Sequence, residues 1–173
     1  SGETAKGDYP IQSVKQMTKI CAYTEKHSEL GKFSHVNIRE SGDVSGFITH
    51  SVYHASKDLK FIKAILAPTK SGFTAKQISR FKPGIPILAL TDDIQAARQL
   101  NLSWGVIPII FEHPETTSKL IHSAIKAALD NEHVEEKDTV IVTAGVPIKT
   151  TGTTNMLEIY KVEEYLKYKH QSN

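Results

Sequence analysis

FIKAILA (Phe61–Ala67), IPILAL (Ile85–Leu90), GVIPIIF (Gly105–Phe111) and TVIVTA (Thr139–Ala144) are short, nearly continuous apolar runs rich in isoleucine and valine. Strands buried on both faces read this way, because neither face needs a polar alternate. Between the runs lie stretches of helical pattern, 72–81, 93–101 and 115–130. In the last of these, Leu120, Ile121, Ala124, Ile125 and Ala128 share one face. Strand alternates with helix, and each helix is long enough to cross back over a sheet, which predicts parallel strands covered on both sides. A fifth run, Met156 to Val162, follows the fourth after only Gly145 to Asn155. That loop is too short for a crossover helix, so the last strand should pair antiparallel. The expected class is α/β, in three α/β/α layers. Its sheet is mixed and five-stranded, mostly parallel, with the last strand antiparallel.

Upstream, Asp8 can cap a helix with Pro10 in its first turn, where the missing N–H costs nothing. Ile11, Val14, Met17 and Cys21 recur at helical spacing, and Cys21 is expected to be buried on that stripe. Residues 31–42 (GKFSHVNIRESG) have no clean period and read as a linker. A second helix follows, capped by Ser41 or Asp43, with Val44, Ile48, Val52 and Ala55 on one face beside Phe47 and Ser51. The expected organisation is 1–30, linker 31–42, domain 43–162 and a polar, basic tail 163–173, either a short helix or frayed.

The composition agrees with one soluble globular domain. The chain has 173 residues, 39% hydrophobic and 23% charged. One cysteine excludes an internal disulfide framework and suits a reducing compartment. No apolar run approaches the roughly 20 residues of a membrane span. SGETAKGDYP has no signal-peptide core, so a cytoplasmic location is expected. With 21 Lys+Arg against 19 Asp+Glu the net charge is +2, and neither a basic stripe nor a nucleic-acid partner is indicated.

In an open α/β sheet, ligands bind beyond the carboxyl ends of the strands. One loop at that edge is Pro68-Thr69-Lys70-Ser71-Gly72-Phe73-Thr74. It offers three hydroxyls, a lysine and a glycine that permits close backbone approach. It also opens onto a helix N-terminus, which favours an anion. This is phosphate-cradling chemistry, although neither G-x-x-x-x-G-K-[ST] nor G-x-G-x-x-G occurs. A plainer alternative stays open on pattern alone: Thr69 and Ser71 only cap the helix. A second loop carries Lys149, Thr150, Thr151, Gly152, Thr153 and Thr154. By itself it would be a solvated hairpin. Two such loops at one edge point to a shared phosphorylated ligand.

Other residues read as structural. His50 and His54 have the i, i+4 spacing of a helical metal pair but no third ligand nearby, and read as solvated, as does His122. Trp104 reads as packing at a strand start. Asp92-Asp93 read as a helix cap and Glu135-Glu136 as a solvated turn. Asn101-Leu102-Ser103 matches a glycosylation acceptor with no sign of secretion.

The motifs then resemble a known family. SGETAKGDYP resembles the signature at the last strand and helix of the pyruvate kinase catalytic barrel. TKSGFTA (69–75), ISRFKPGIPILALT (78–91), ARQLNLSWGVIPI (97–109), DTVIVTAGVP (138–147) and GTTNMLEI (152–159) resemble its C-terminal domain, in the same order. The resemblance implies that residues 1–30 are the end of the barrel and 43–162 the C-terminal domain, with the mixed five-stranded sheet already expected. It implies a glycolytic parent enzyme that moves a phosphoryl group from phosphoenolpyruvate to ADP with magnesium and potassium, neither of them held by this chain. Only Ser1 and Glu3 match positions edging that active site, so this chain alone is expected to catalyse nothing.

In the family the C-terminal domain carries an allosteric effector site and a subunit interface. The resemblance therefore implies effector contacts at Thr69, Lys70, Ser71, Gly72, Phe73 and Thr74, with Phe73 standing where some members have arginine, and at Lys149, Thr150, Thr151, Gly152 and Thr153. The stretch His113 to Thr117 is shorter than in the animal enzymes and lacks their Trp and Arg for a second phosphate. A monophosphate (AMP, or a sugar monophosphate) or free phosphate is accordingly favoured over fructose 1,6-bisphosphate. The other expected partners are the rest of the barrel and further copies of the chain. A stand-alone phosphometabolite-binding module and a pure oligomerisation domain are the alternatives.

Overall fold

A computed structural model describes residues 2–27, 43–147 and 152–171. The chain forms two compact units, Ser1–Phe33 and Ser34–Asn173. The linker expected at 31–42 lies outside the described residues.

The first unit holds α1 (Gly2–Ala5) and α2 (Pro10–His27). Pro10 opens α2, and the first turn closes by Ser13 N donating to Tyr9 O at 3.0 Å. Tyr9 therefore takes the cap position expected for Asp8. The apolar stripe exists, but α2 contains no buried residue and Cys21, expected to be buried, is exposed. A lone long helix has no second layer in its own unit to cover such a stripe.

The second unit runs α3 (Val44–Asp58), β1 (Ile62–Pro68), α4 (Phe73–Ser79), β2 (Ile87–Thr91), α5 (Ile94–Leu100), β3 (Val106–Ile110), α6 (Thr117–Asp130), β4 (Thr139–Ala144), β5 (Met156–Lys161), α7 (Val162–Gln171). The sheet order is β3-β2-β1-β4-β5, and only the β4–β5 pair is antiparallel. This is the expected sheet. Leu66, Leu88, Leu90, Val140 and Val142 pack on one face with α6. Ile65, Ala67, Ile87, Ala89 and Ile141 pack on the other with Val52, Ala75, Ile78 and Leu100 of α3, α4 and α5. The register between β1 and β4 slips between Ile62 and Ala64. Exposed Lys63 is the extra residue, and the bulge lets Ile62 share a face with Ile65 across an odd interval.

α3 differs from expectation on its buried face. Asp43 caps it by accepting from Gly46 N. Ile48, Val52 and Ala55 do pack inward, but Val44 and Phe47 are exposed. Thr49, Tyr53 and Ser56 are buried instead. Polar side chains can take core positions because their hydroxyls return to the helix's own carbonyls: Thr49 Oγ1 to Ser45 O at 2.8 Å, Ser56 Oγ to Tyr53 O at 2.7 Å.

The chain steps from β1 to β2 to β3 in one direction, then returns to place β4 on the opposite side of β1. The strand order reverses between β1 and β4, and a crevice opens at their carboxyl ends.

Candidate functional site

The β1–α4 loop leaves the sheet at that crevice. Thr69 N donates to Leu90 O at 2.8 Å, which extends the ladder one step, and Thr91 Oγ1 donates to Lys70 O at 3.2 Å. Gly72 then caps α4 in the left-handed region, φ +79°, with no side-chain capping bond. The alternative in which Thr69 and Ser71 serve as helix caps is therefore not how α4 starts. The first intrahelical bond runs from Lys76 N to Gly72 O at 3.0 Å, so the amides of Phe73, Thr74 and Ala75 precede it.

The loop after β4 is tied across the crevice. Buried Thr74 and Thr154 join their hydroxyls at 2.8 Å, eighty residues apart in sequence. Thr154 N donates to Ser45 Oγ at 2.9 Å, and the Asn155 side chain accepts from Val146 N and donates to Val146 O. Replacing Thr74 by valine leaves the Thr154 hydroxyl buried without that partner. We expect a loss of about 1–3 kcal/mol in a urea titration, with Thr74→Ser recovering most of it.

Thr69, Lys70, Ser71, Phe73 and Thr74 thus line one cleft together with Ala144, Gly145, Gly152 and Thr153. Ser1, Lys149, Thr150 and Thr151 lie outside the described residues, and Glu3 sits in α1 of the first unit.

His113 enters the same cleft from beyond the carboxyl end of β3. Its ring meets Phe111 edge-on, with centroids 5.0 Å apart. Both ring nitrogens are buried, and neither has a hydrogen-bond partner among the described residues. Burial pulls its pKa below the ordinary histidine value and Lys70 pushes the same way. Asp92 opposes them, as does the Thr69 main chain, which faces the ring without normal hydrogen-bond geometry. His113 is not among the candidates expected from sequence, although the strand-end rule that points to the other two loops also covers a residue just past β3.

The remaining candidates do not gather at the cleft. His50 and His54 approach with Nε2 atoms 3.0 Å apart, and the His50 ring lies edge-on to Phe81. No group of three or more His, Cys, Asp or Glu side chains among the described residues is placed to hold a metal. Asp93 caps α5 by accepting from Gln95 N and Ala96 N. Trp104 sits in the turn before β3, where its carbonyl accepts from Ser79 Oγ at 2.7 Å. No described helix is long and apolar enough to cross a membrane.

Fold and cleft together define a three-layer α/β domain with a polar site at the strand-order reversal. The model of the family described as "Pyruvate kinase, alpha/beta domain" matches residues 47–160. A pyruvate kinase of Sporosarcina psychrophila is 36% identical over 167 residues, covering 96% of this chain and 28% of that protein. One from Clostridium acetobutylicum is 38% identical over 164 residues, covering 94% of this chain and 34% of its own length. The crystal structure of a pyruvate kinase from Cryptosporidium parvum superposes with TM-score 0.74 at 28% identity, over 92% of this chain and 32% of that one. The chain belongs to the pyruvate kinase C-terminal α/β domain family. It spans about a third or less of the length of these relatives.

Proposed function

We propose that this chain is the C-terminal regulatory and oligomerisation region of a cytoplasmic pyruvate kinase, and that its cleft binds a phosphorylated effector. The supporting observation is the cleft: two hydroxyl-bearing loops meet at the carboxyl ends of β1 and β4, with the first turn of α4, which no side chain caps, beside them. Among the described lining residues Lys70 is the one fixed cation, which suits one phosphate better than two. Each charge-assisted hydrogen bond is worth roughly 1.5–3 kcal/mol, so a second phosphate without partners gains little. Calorimetry is expected to show AMP or a sugar monophosphate binding at least as tightly as fructose 1,6-bisphosphate. A far tighter bisphosphate would overturn the monophosphate reading.

In this reading, phosphoryl transfer from phosphoenolpyruvate to ADP, with its magnesium and potassium, belongs to barrel segments of the parent enzyme. The chain alone is expected to give no turnover in an assay coupled to lactate dehydrogenase. Activity there would place catalysis in these residues. Homo-oligomer formation is supported by β5, a six-residue strand at the sheet edge with Ile159 exposed. Light scattering is expected to find dimers or larger species.

A further inference from the structure

His113 is the cleft's unsatisfied group. A neutral imidazole has one donor and one acceptor, and both of its nitrogens are buried without partners among the described residues. Such groups are rare in folded proteins, because burial removes water and nothing replaces it. The ring is held by its edge contact with Phe111, itself a core residue, and it lines the cleft together with Gly145, Gly152 and Thr153. The charged groups acting on it are Asp92, from the turn after β2, and Lys70, from the β1–α4 loop. Phe111 and the Thr69 main chain complete its surroundings.

We propose that His113 is a proton-linked anion contact: when a dianion enters the cleft, the ring takes one proton from solvent onto its free nitrogen, and the resulting imidazolium donates a hydrogen bond to the ligand. This rests on the reading of the cleft as an anion site and adds its regulation. A neutral ring offers an anion one N–H and one repulsive lone pair, whereas the charged ring offers two donors and a positive charge. Burial and Lys70 favour the neutral form of the ring. A dianion at the wall acts as Asp92 does, only more strongly, and raises the ring's pKa. Binding and protonation are then linked, each promoting the other. The sign follows. Affinity rises as pH falls through the bound ring's pKa and levels off below the free ring's, which lies under the ordinary histidine value.

The probe is sulfate, a dianion throughout the range where histidine titrates. Its affinity for this chain is expected to climb by up to about tenfold per pH unit in that window. Calorimetry in buffers of different ionisation enthalpy should show uptake of up to one proton. Shifts at the Thr69–Thr74 amides locate the ion. In His113→Gln the pH dependence should vanish while binding at high pH persists. Should that variant fail to fold, the Cε1–H resonance of His113 in the unaltered chain decides, with sulfate expected to raise its pKa by about one unit or more. Sulfate binding that is independent of pH, or equally pH-dependent in His113→Gln, or that leaves the His113 resonance unmoved, overturns the role of His113 and leaves the cleft reading standing. No sulfate binding at any pH overturns both.

Discussion

Leu66→Ala is expected to remove about 3–5 kcal/mol from the stability of the α/β unit and to lower its melting temperature by about 10 °C or more. Leu66 lies on β1, the central strand, hydrogen-bonded to β2 on one side and β4 on the other, opposite Leu88 and Val142. Its side chain is fully buried in the cluster that α6 covers. Truncation loses the transfer free energy of three carbons and leaves a cavity that cannot collapse, since both neighbouring strands are pinned by their own ladders. Domains of this size are stable by only about 5–15 kcal/mol, so the loss is a large fraction of the whole. Leu102→Ala is the matched control: Leu102 is 92% exposed, and its truncation should stay within about 0.5 kcal/mol. Thermal melts followed by circular dichroism check both, and equal effects would mean that the sheet is not the stabilising centre.

The same burial explains how much of the fold was legible in sequence. TVIVTA is β4 residue for residue, because a strand covered on both faces has no polar alternate to blur its ends. IPILAL starts two residues before its strand: Pro86 accepts from Ile65 N but has no N–H to return to the ladder. Pro108 sits inside β3 without breaking it because β3 is a sheet edge. Periodicity failed where small polar residues went inward. Thr49 and Ser56 look solvent-facing in a hydrophobic count, and only their bonds to helix carbonyls make burial tolerable. It failed at α2 for the opposite reason, since a stripe states what a helix can bury and not whether its unit supplies a partner.

The site was legible as chemistry and less so as geometry. The order of hydroxyls, lysine and glycine over 69–74 is local, and the strand-before-helix pattern places it at a sheet rim. That β1 and β4 are neighbours could only be assumed from sequence, and it is what brings the two loops together. The bond between Thr74 and Thr154, and the arrival of His113 from the far side of β2, are long-range consequences of the strand order that no local spacing encodes. They change the roles. Thr74, expected as a ligand contact, is first a tie between loops, and the histidine just past β3 is a wall of the cleft.

Gly145→Ala is expected to damage the cleft more than any other single-methyl change on its rim. Gly145 directly follows β4, and a Cβ there would fall inside the van der Waals envelope of the Thr153 carbonyl oxygen, with Thr153 Oγ1 2.8 Å and Thr153 C 3.0 Å away. Backbone cannot rotate aside as a side chain can, and the residues that follow Thr153 are held in place. Thr154 is bonded to Ser45 and Thr74, Asn155 N donates to Ala144 O at 3.1 Å, and the Asn155 amide clamps Val146. The added methyl must displace either the end of β4 or the strip that carries Gly152 and Thr153, and each displacement breaks one of these ties. Overpacking of this kind costs about 1–3 kcal/mol. If the shift falls on the cleft, the same free energy reduces sulfate or AMP affinity by about 5- to 150-fold. Gly2→Ala, where an added Cβ meets nothing within 4 Å, should change neither melting nor binding. Unaltered ligand affinity in Gly145→Ala would mean that the Thr153 strip moves freely, and the two loops would then not form one preorganised site.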